Sequence, residues 1–413
     1  MKKFLYLILC VYIIFVPVFR KMPHLSWIVA MLGLYVLISK HSFRKKYKLM
    51  YKQNVIIFLC LIFCIVLSFF TIFINQTNDF SYINFILGII LCVFRNYFLL
   101  WVFDWCFKDN ANLSTFITYF LYSCIVYISF TIAFIIMPSF KDFWLQTVIV
   151  SVKSVDYISY TYRYSLNGFA AFASSVVFCL AFVLNGYALT NDGKFGTNKK
   201  YILTFILLLT GAFFYGRTCF IGLLLGVILM IYNLKRSLYQ TLKVFLSAFI
   251  IIVLLSSILR FVMTINDALN AWGEWAFSII TQIFVDRKIT DHSVTHMFKD
   301  MFFMPKINTF LIGDGLFTDP LTKLYYMNTD VGYMRSLLFF GITGCLSYMY
   351  IFYTQMKNVI HSKNNPFKSL YLVVIVLIAI LELKGQAFHI IMFCFLPIIY
   401  IINSKKGEEK RNE

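Results

Sequence analysis

Apolar blocks long enough to cross a bilayer recur along the whole length of this chain. The blocks run for about 15 to 25 residues between polar interruptions, and a helix needs about 20 apolar residues to span a hydrocarbon layer. Only 13% of the residues are charged and 61% are hydrophobic, whereas soluble domains have about 25% charged residues. Because the chain lacks the polar side chains to cover a water-soluble surface, we predict an all-α polytopic membrane protein.

The spacing of the blocks predicts about twelve transmembrane helices in a single membrane domain covering residues 1–413. The predicted spans are Phe4 to Phe19, Leu25 to Ser39, Val55 to Ile74, Tyr82 to Phe103, Leu113 to Met137, Leu166 to Leu189, Tyr201 to Tyr215, Thr218 to Tyr232, Val244 to Met263, Gly332 to Tyr353, Ser369 to Leu383 and Gln386 to Ile402. No small-x-small cleavage site follows the first block, so we expect it to be a retained helix and not a cleaved signal.

Basic residues in the short loops give the orientation, because such loops tend to stay cytoplasmic. Lys2 and Lys3, the loop from Lys40 to Lys52 and the tail from Lys405 to Arg411 then lie inside. We therefore predict a multi-pass membrane protein with both termini in the cytoplasm. The net charge of +19 follows from this sorting, and we predict no nucleic-acid partner.

The largest extramembrane region is the predicted external loop from Thr264 to Val331. Its stretch from Ala268 to Val285 is amphipathic and contains two tryptophans, which is typical of helices that lie in the membrane interface. Four possible metal ligands fall later in the loop at helical spacing: Asp291, His292, His296 and Asp300. No established metal motif includes them, so we favour a solvated helix face and predict no metal and no cofactor.

Ionisable residues at membrane depth are costly unless they are paired or used. The candidates are Arg95, Arg217, Arg335, Glu382, Lys384 and His389. Arg217 lies in the sequence YGRT, at the predicted outer tip of a helical hairpin. A guanidinium beside a helix N-terminus favours a phosphate, although an arginine that reaches to lipid headgroups is the simpler alternative. For Arg95 we favour a structural role.

Near the end of the long loop stand the sequences IGDGLFTDP and YYMNTDVGYMRSLLFFGITG. This region resembles the Wzy-type polysaccharide polymerase and O-antigen ligase superfamily. Asp330 takes the place of the histidine of the ligase branch, with Gly341 and Gly344 in register, which points to the polymerase branch. Arg163 with Gly168, Arg217 in YGRTCFIG, and Arg287 ahead of Gly313 and Gly315 are similar to further family features.

The resemblance implies a membrane glycosyltransferase, an O-antigen or capsular polysaccharide polymerase at the outer face of the inner membrane. Its substrates would be undecaprenyl-diphosphate-linked oligosaccharide repeats, within membrane lipids and with a chain-length regulator as a further partner. On this reading Arg163, Arg217, Arg287 and Arg335 bind diphosphate. Arg217 and Arg287 stabilise the leaving group, and Asp330 is the candidate base, with a helix N-cap as its alternative role.

Two other functions remain open from the sequence. The first is an O-antigen ligase, whose loss would leave long polymer on the carrier lipid. The second is a flippase or other multi-pass transporter of lipid-linked oligosaccharide, although many transporters have two related halves with interrupted helices. Here the large loop occurs once and there are only 7 prolines, so we favour the polymerase.

Overall fold

The structure is a computed structural model in which most of the described residues are helical. It describes residues 1–150, 163–169, 172–190, 199–234, 297–322, 324–360 and 366–412, together with residues 239, 242, 246, 250, 257 and 295. The described helices are α1 (Lys2–Phe15), α2 (Leu25–Ser39), α3 (His41–Lys46), α4 (Lys48–Ile74), α5 (Ser81–Phe107), α6 (Leu113–Ile136), α7 (Pro138–Thr147), α8 (Phe172–Thr190), α9 (Lys199–Tyr215), α10 (Cys219–Asn233), α11 (Ile307–Leu311), α12 (Gly332–Ile360), α13 (Lys368–Glu382) and α14 (Phe388–Asn412). One small hairpin pairs β1 (Tyr164–Ser165) with β2 (Gly168–Phe169).

Within the described residues, five helical segments are long and apolar enough to cross a membrane, which is compatible with an all-α membrane protein. They are Asn54–Ile74, Ser81–Asn110, Leu113–Ile136, Phe172–Thr190 and Gly332–Thr354. Shorter apolar helices cover Leu25–Ser39, Cys219–Asn233 and Phe388–Ser404. The count of twelve crossings stays a prediction.

Two parts of the predicted topology need a separate comment. Most of the ninth predicted span, Val244 to Met263, and residues 264–294 of the predicted long loop lie outside the described residues. The sixth predicted span began at Leu166, but α8 begins only at Phe172. The residues just before it form the β1–β2 hairpin, because Gly168 has a φ of +82° and allows a tight turn there.

The chain divides into two compact units, each described by itself below. The first unit contains residues 1–25, the described residues between 106 and 289, and residues 372–377; the second contains residues 26–105, the described residues between 290 and 371, and residues 378–412. In the first unit, α8 packs closely on α10. A Cβ atom on Gly222 would lie 2.2 Å from Cα of Cys179, and one on Gly226 would lie 2.7 Å from the carbonyl oxygen of Phe182. Glycines four apart let two membrane helices approach this closely.

In the second unit, α12 packs on α4 and contains a break. Gly341 has φ 68° and ψ −173°, a conformation that is almost restricted to glycine. The break leaves carbonyl groups of the first half of α12 without helical partners. Those of Leu338 and Phe339 accept hydrogen bonds from the backbone N–H groups of Asp314 (2.7 Å) and Gly315 (3.0 Å). The carbonyl groups freed by the break in α12 thus bind the loop that precedes this helix in sequence.

Candidate functional site

The first unit brings together two of the arginines predicted from the sequence. The turn between α9 and α10 contains Gly216 and Arg217, and the guanidinium of Arg163 lies against Gly216. A Cβ atom on Gly216 would be 3.0 Å from Nη2 of Arg163. Gly216 also has a φ of +123°, which L side chains rarely adopt. We call Arg163, Gly216 and Arg217 the arginine turn.

Arg163 is placed by the β1–β2 hairpin that follows it. The Thr131 hydroxyl on α6 donates to the carbonyl oxygen of Tyr164 (2.8 Å), and the Ser165 hydroxyl donates to the carbonyl oxygen of Tyr127 (2.7 Å). On the other side, the indole N–H of Trp144 on α7 donates to the carbonyl oxygen of Leu166 (2.9 Å). Buried hydrogen bonds of this kind fix an irregular segment firmly, because breaking one leaves an unsatisfied polar group.

The other half of the arginine turn is held by α8. The Ser175 hydroxyl donates to the carbonyl oxygen of Tyr215 (2.7 Å), the last residue of α9. The Cys179 thiol donates to the carbonyl oxygen of Thr218 (3.2 Å), which precedes α10. Arg217, which is partly buried, therefore lies two residues before the N-terminus of α10. A helix N-terminus with arginine residues beside it favours an oxyanion.

The second unit contains residues 312–318, which we call the docked loop. Three side chains at the end of α4 or just after it hold its carbonyl groups: the Thr71 hydroxyl donates to Ile312 (3.3 Å), the Asn75 amide to Gly313 (3.0 Å) and the Thr77 hydroxyl to Gly315 (2.9 Å). The two glycines of the sequence IGDG therefore lie in a segment of irregular backbone. Its partners could not be read from the sequence, because they lie about 240 residues earlier in the chain.

Asp79 binds the C-terminal end of the docked loop. One carboxylate oxygen accepts the backbone N–H groups of Phe317 and Thr318, both at 2.7 Å, and the other accepts that of Ser81 at 2.9 Å. Burial by itself raises the pKa of this carboxyl, but the hydrogen bonds from Ser81, Thr318 and Phe317 outweigh it and leave the pKa below its ordinary value. Asp79 thus holds the docked loop through hydrogen bonds to its charged carboxylate.

Arg335, three residues after the start of α12, lies beneath the docked loop and is only 8% exposed. Its guanidinium carbon is 3.8 Å from the ring centre of Phe317 and 3.7 Å from that of Tyr325. Two rings this close to one atom cannot share a face, so they cover opposite faces of the guanidinium. Nη1 of Arg335 donates to Oε1 of Gln386 (3.2 Å). We call this arrangement the stacked arginine.

Asp330, the predicted base, is exposed just before α12. Its carboxylate is close enough to interact electrostatically with Arg335. The alternative role for Asp330 as a helix N-cap stays a prediction, and its neighbour Thr329 makes two hydrogen bonds at this point. The hydroxyl of Thr329 accepts the backbone N–H of Val331 (3.3 Å) and donates to the carbonyl oxygen of Met301 (3.0 Å).

Glu382 has a clear local partner. Its carboxylate accepts the backbone N–H groups of Ala387 and Phe388, both at 2.8 Å, and so caps the N-terminus of α14. It also lines a cavity of about 50 Å³ together with Gly332, Ser336 and Tyr348. The sequence identified Glu382 as a costly ion at membrane depth, and the structure gives it a capping role.

Several predicted residues remain apart from these sites. Arg287, Asp291, His292 and His296 lie outside the described residues. Arg95 is 5% exposed on α5, and its guanidinium donates to the Cys92 sulfur within its own helix. Within the described residues, no three His, Cys, Asp or Glu side chains are grouped to hold a metal ion.

Sequence reasoning missed the ring partners of Arg335 and its polar partner. Phe317, Tyr325 and Gln386 are ordinary residue types in an aromatic-rich chain, and 19% of the residues are aromatic. The one signal for Gln386 was its position beside Lys384 and Gly385, at the turn predicted between the last two helices. That turn is present, between Glu382 and Phe388.

Comparison of the chain with protein-family models, curated proteins and solved structures found no match. The assignment of a function therefore depends on the residues and their geometry alone.

Proposed function

We propose that this protein is a polysaccharide polymerase of the outer face of the bacterial inner membrane. It transfers a growing glycan from undecaprenyl diphosphate to an incoming undecaprenyl-diphosphate-linked oligosaccharide repeat. The observation that carries the proposal is the arginine turn, in which Arg163 lies against Gly216 beside Arg217. Two guanidinium groups at one helix N-terminus suit a diphosphate, since arginine binds phosphate oxygens in pairs.

In the proposed reaction, a sugar hydroxyl of the incoming repeat attacks the anomeric carbon of the growing glycan. The bond from that carbon to the diphosphate oxygen breaks, and undecaprenyl diphosphate leaves with the electron pair. Arg217 and Arg287 stabilise the negative charge that develops on the leaving group, while Arg163 is a further diphosphate contact. Asp330 accepts the proton of the attacking hydroxyl, and neither a metal nor a cofactor takes part.

Chain extension by an Arg217→Ala variant tests the proposal. In a deletion strain complemented with this variant, we expect single repeats in place of polymer, with a normal amount of protein in the membrane. Lys21→Ala, which removes an exposed cation in the same unit, is the matched control and should give full-length polymer. Arg217→Lys should also be impaired strongly, because an ammonium group lacks the planar fork of a guanidinium.

Three outcomes would overturn the proposal. Full-length polymer with Arg217→Ala removes the arginine turn from the mechanism. Long polymer that accumulates on the carrier in the deletion strain indicates a ligase, and loss of all lipid-linked repeats from the outer face indicates a flippase. Membrane-impermeant labelling of single cysteines at positions 217 and 330 gives an independent check, since the reaction requires both positions to face the same compartment.

A further inference from the structure

The stacked arginine has hydrogen-bonding capacity that nothing in its surroundings uses. Nε of Arg335 and Nε2 of Gln386 are both buried, and neither has a hydrogen-bond partner within the described part of the chain. Each residue is only 8% exposed. Buried donors are almost always satisfied in proteins, so two neighbouring donors without acceptors indicate that a group is to be bound there.

The charge of Arg335 gives the same indication. No carboxylate oxygen of the described residues lies within ion-pair distance of its guanidinium. One oxygen of the Glu382 carboxylate is already engaged by the N–H groups of Ala387 and Phe388. The carboxylates of Asp330 and Glu382 act on Arg335 only from beyond that distance, whereas an anionic ligand would supply a direct ion pair and acceptors for the unused donors.

The contacts of Arg335 also determine how a ligand can approach. Phe317 and Tyr325 cover the two faces of the guanidinium, and Gln386 Oε1 accepts from Nη1. Nε remains for a ligand in the plane of the guanidinium, because it has no hydrogen-bond partner among the described residues. Since Oε1 of Gln386 accepts from Nη1, the amide nitrogen of Gln386 is a second buried donor without an acceptor. Two such donors match the two oxygens of a phosphate or a carboxylate.

We propose that Arg335 and Gln386 form a binding site for one acidic group of a substrate, additional to the diphosphate site of the arginine turn. The identity of the substrate rests on the function proposed above, but the anion site itself does not. The acidic group is either a phosphate of a carrier lipid or a carboxylate on a sugar of the repeat. Tyr325 is 47% exposed whereas Phe317 faces the aromatic rings of Tyr82 and Phe339, so the ligand enters on the Tyr325 side.

Anion binding to the full-length protein in phosphatidylcholine nanodiscs tests this site. The background variant is Arg217→Ala, which removes binding at the arginine turn, and the probes are inorganic pyrophosphate and glucuronate in separate calorimetric titrations. We expect one bound anion per protein in this background. Adding Gln386→Glu places a carboxylate against Arg335 and should weaken that binding by about tenfold or more.

The matched control is Asn308→Asp in the same background. It adds the same single negative charge at an exposed position of α11 and should leave the affinity unchanged. Gln386→Glu should fold normally because its new carboxylate can pair with Arg335, and an unchanged melting temperature would verify this. Arg335→Lys, which removes the Nε donor but keeps the charge, should also weaken binding.

The outcomes separate the two proposals and the two ligand sources. Binding of pyrophosphate alone assigns the acidic group to a carrier lipid, and binding of glucuronate assigns it to the glycan. If neither probe binds, or if Gln386→Glu binds as tightly as its parent, the anion site is refuted even where polymer is still made. Anion binding that depends on Gln386, together with full-length polymer in the deletion strain, would refute the polymerase and keep the site.

Discussion

The arginine turn of the first unit and the stacked arginine of the second unit hold their cations by opposite means. In the arginine turn, Arg163 and Arg217 are partly buried around a glycine, on a backbone fixed by neighbouring hydrogen bonds. In the second unit, Arg335 is held by its own side-chain contacts with two aromatic rings and an amide. The first arrangement places positive charge on a turn with a fixed backbone, and the second buries positive charge beneath a loop.

This difference predicts different sensitivities to mutation. The arginine turn depends on backbone geometry, so a single added methyl group should disturb it while its side-chain chemistry stays the same. The stacked arginine depends on the docked loop, so changes at the base of that loop should affect Arg335 from a distance. Four substitutions test this difference.

Gly341→Ala should have the largest effect, through the second unit. A Cβ atom there would lie 2.3 Å from the carbonyl oxygen of Leu311, and the backbone conformation is almost restricted to glycine. We expect a loss of about 3 kcal/mol or more of unfolding free energy, measured by denaturant unfolding in detergent micelles. Gly88→Ala is the control, because a Cβ atom there meets nothing within 4 Å. Equal stability of the two variants would contradict the docking role of the break in α12.

Gly216→Ala should act on the arginine turn. The φ of +123° and the 3.0 Å approach to Arg163 mean that an added methyl group strains the turn and displaces the guanidinium. We expect a destabilisation of about 1 to 3 kcal/mol and a loss of chain extension larger than the loss of folded protein. Protein amount by immunoblot and polymer length by gel separate the two effects. Normal polymer would show that the geometry of this turn is unimportant.

Asp79 should make the docked loop sensitive to acid. Its pKa lies below the ordinary value of 3.8, so the carboxylate stabilises the folded loop fully above that value and loses this contribution as the pH falls through the lowered pKa. Asp79→Asn should cost about 1.5 to 3 kcal/mol of local stability at neutral pH. Hydrogen exchange of the Phe317 and Thr318 amides measures it. Unchanged protection in Asp79→Asn would mean that the loop is held without this charge.

Tyr325→Leu should have the smallest effect, of about 1 kcal/mol or less on the unfolding free energy, because it removes one of two ring contacts at a partly exposed site. Tyr325→Phe is the control that keeps the ring. We expect faster exchange near Arg335 and faster entry of anions in the leucine variant alone. If the phenylalanine variant behaves like the leucine variant, the hydroxyl of Tyr325 and not its ring matters.

Residues close in sequence account for the features that could be predicted. The turn at Gly216 and Arg217 was visible because basic ends and a polar interruption define a hairpin of two apolar helices. The positive φ of Gly341 was not predicted, because this residue lies inside a continuous predicted span from Gly332 to Tyr353. The start of α8 was placed six residues too early, because the hairpin before it is as apolar as a helix end. Apolar content alone does not distinguish the two.

Contacts between distant segments could not be predicted in the same way. Asp79 falls between two predicted spans and no role was predicted for it, yet it binds the N–H groups of Phe317 and Thr318, which are 238 and 239 residues away. No role was predicted for Gln386, because the function of an amide side chain becomes clear only when its hydrogen-bond partner is known. Arg335 was selected for its charge, but its stacking depends on rings brought to it by the docked loop.

Composition and the length of the apolar blocks by themselves determined that this protein is helical and suited to a membrane, because backbone groups in a bilayer must be hydrogen-bonded within the helix. The sequence also determined which cations are costly enough to need an explanation. Only the tertiary structure decided which of them lie together: Arg163 against the turn of Arg217, and Arg335 with Gln386. The physical reason is that hydrogen bonds and ring contacts between remote segments depend on packing, which no local pattern encodes.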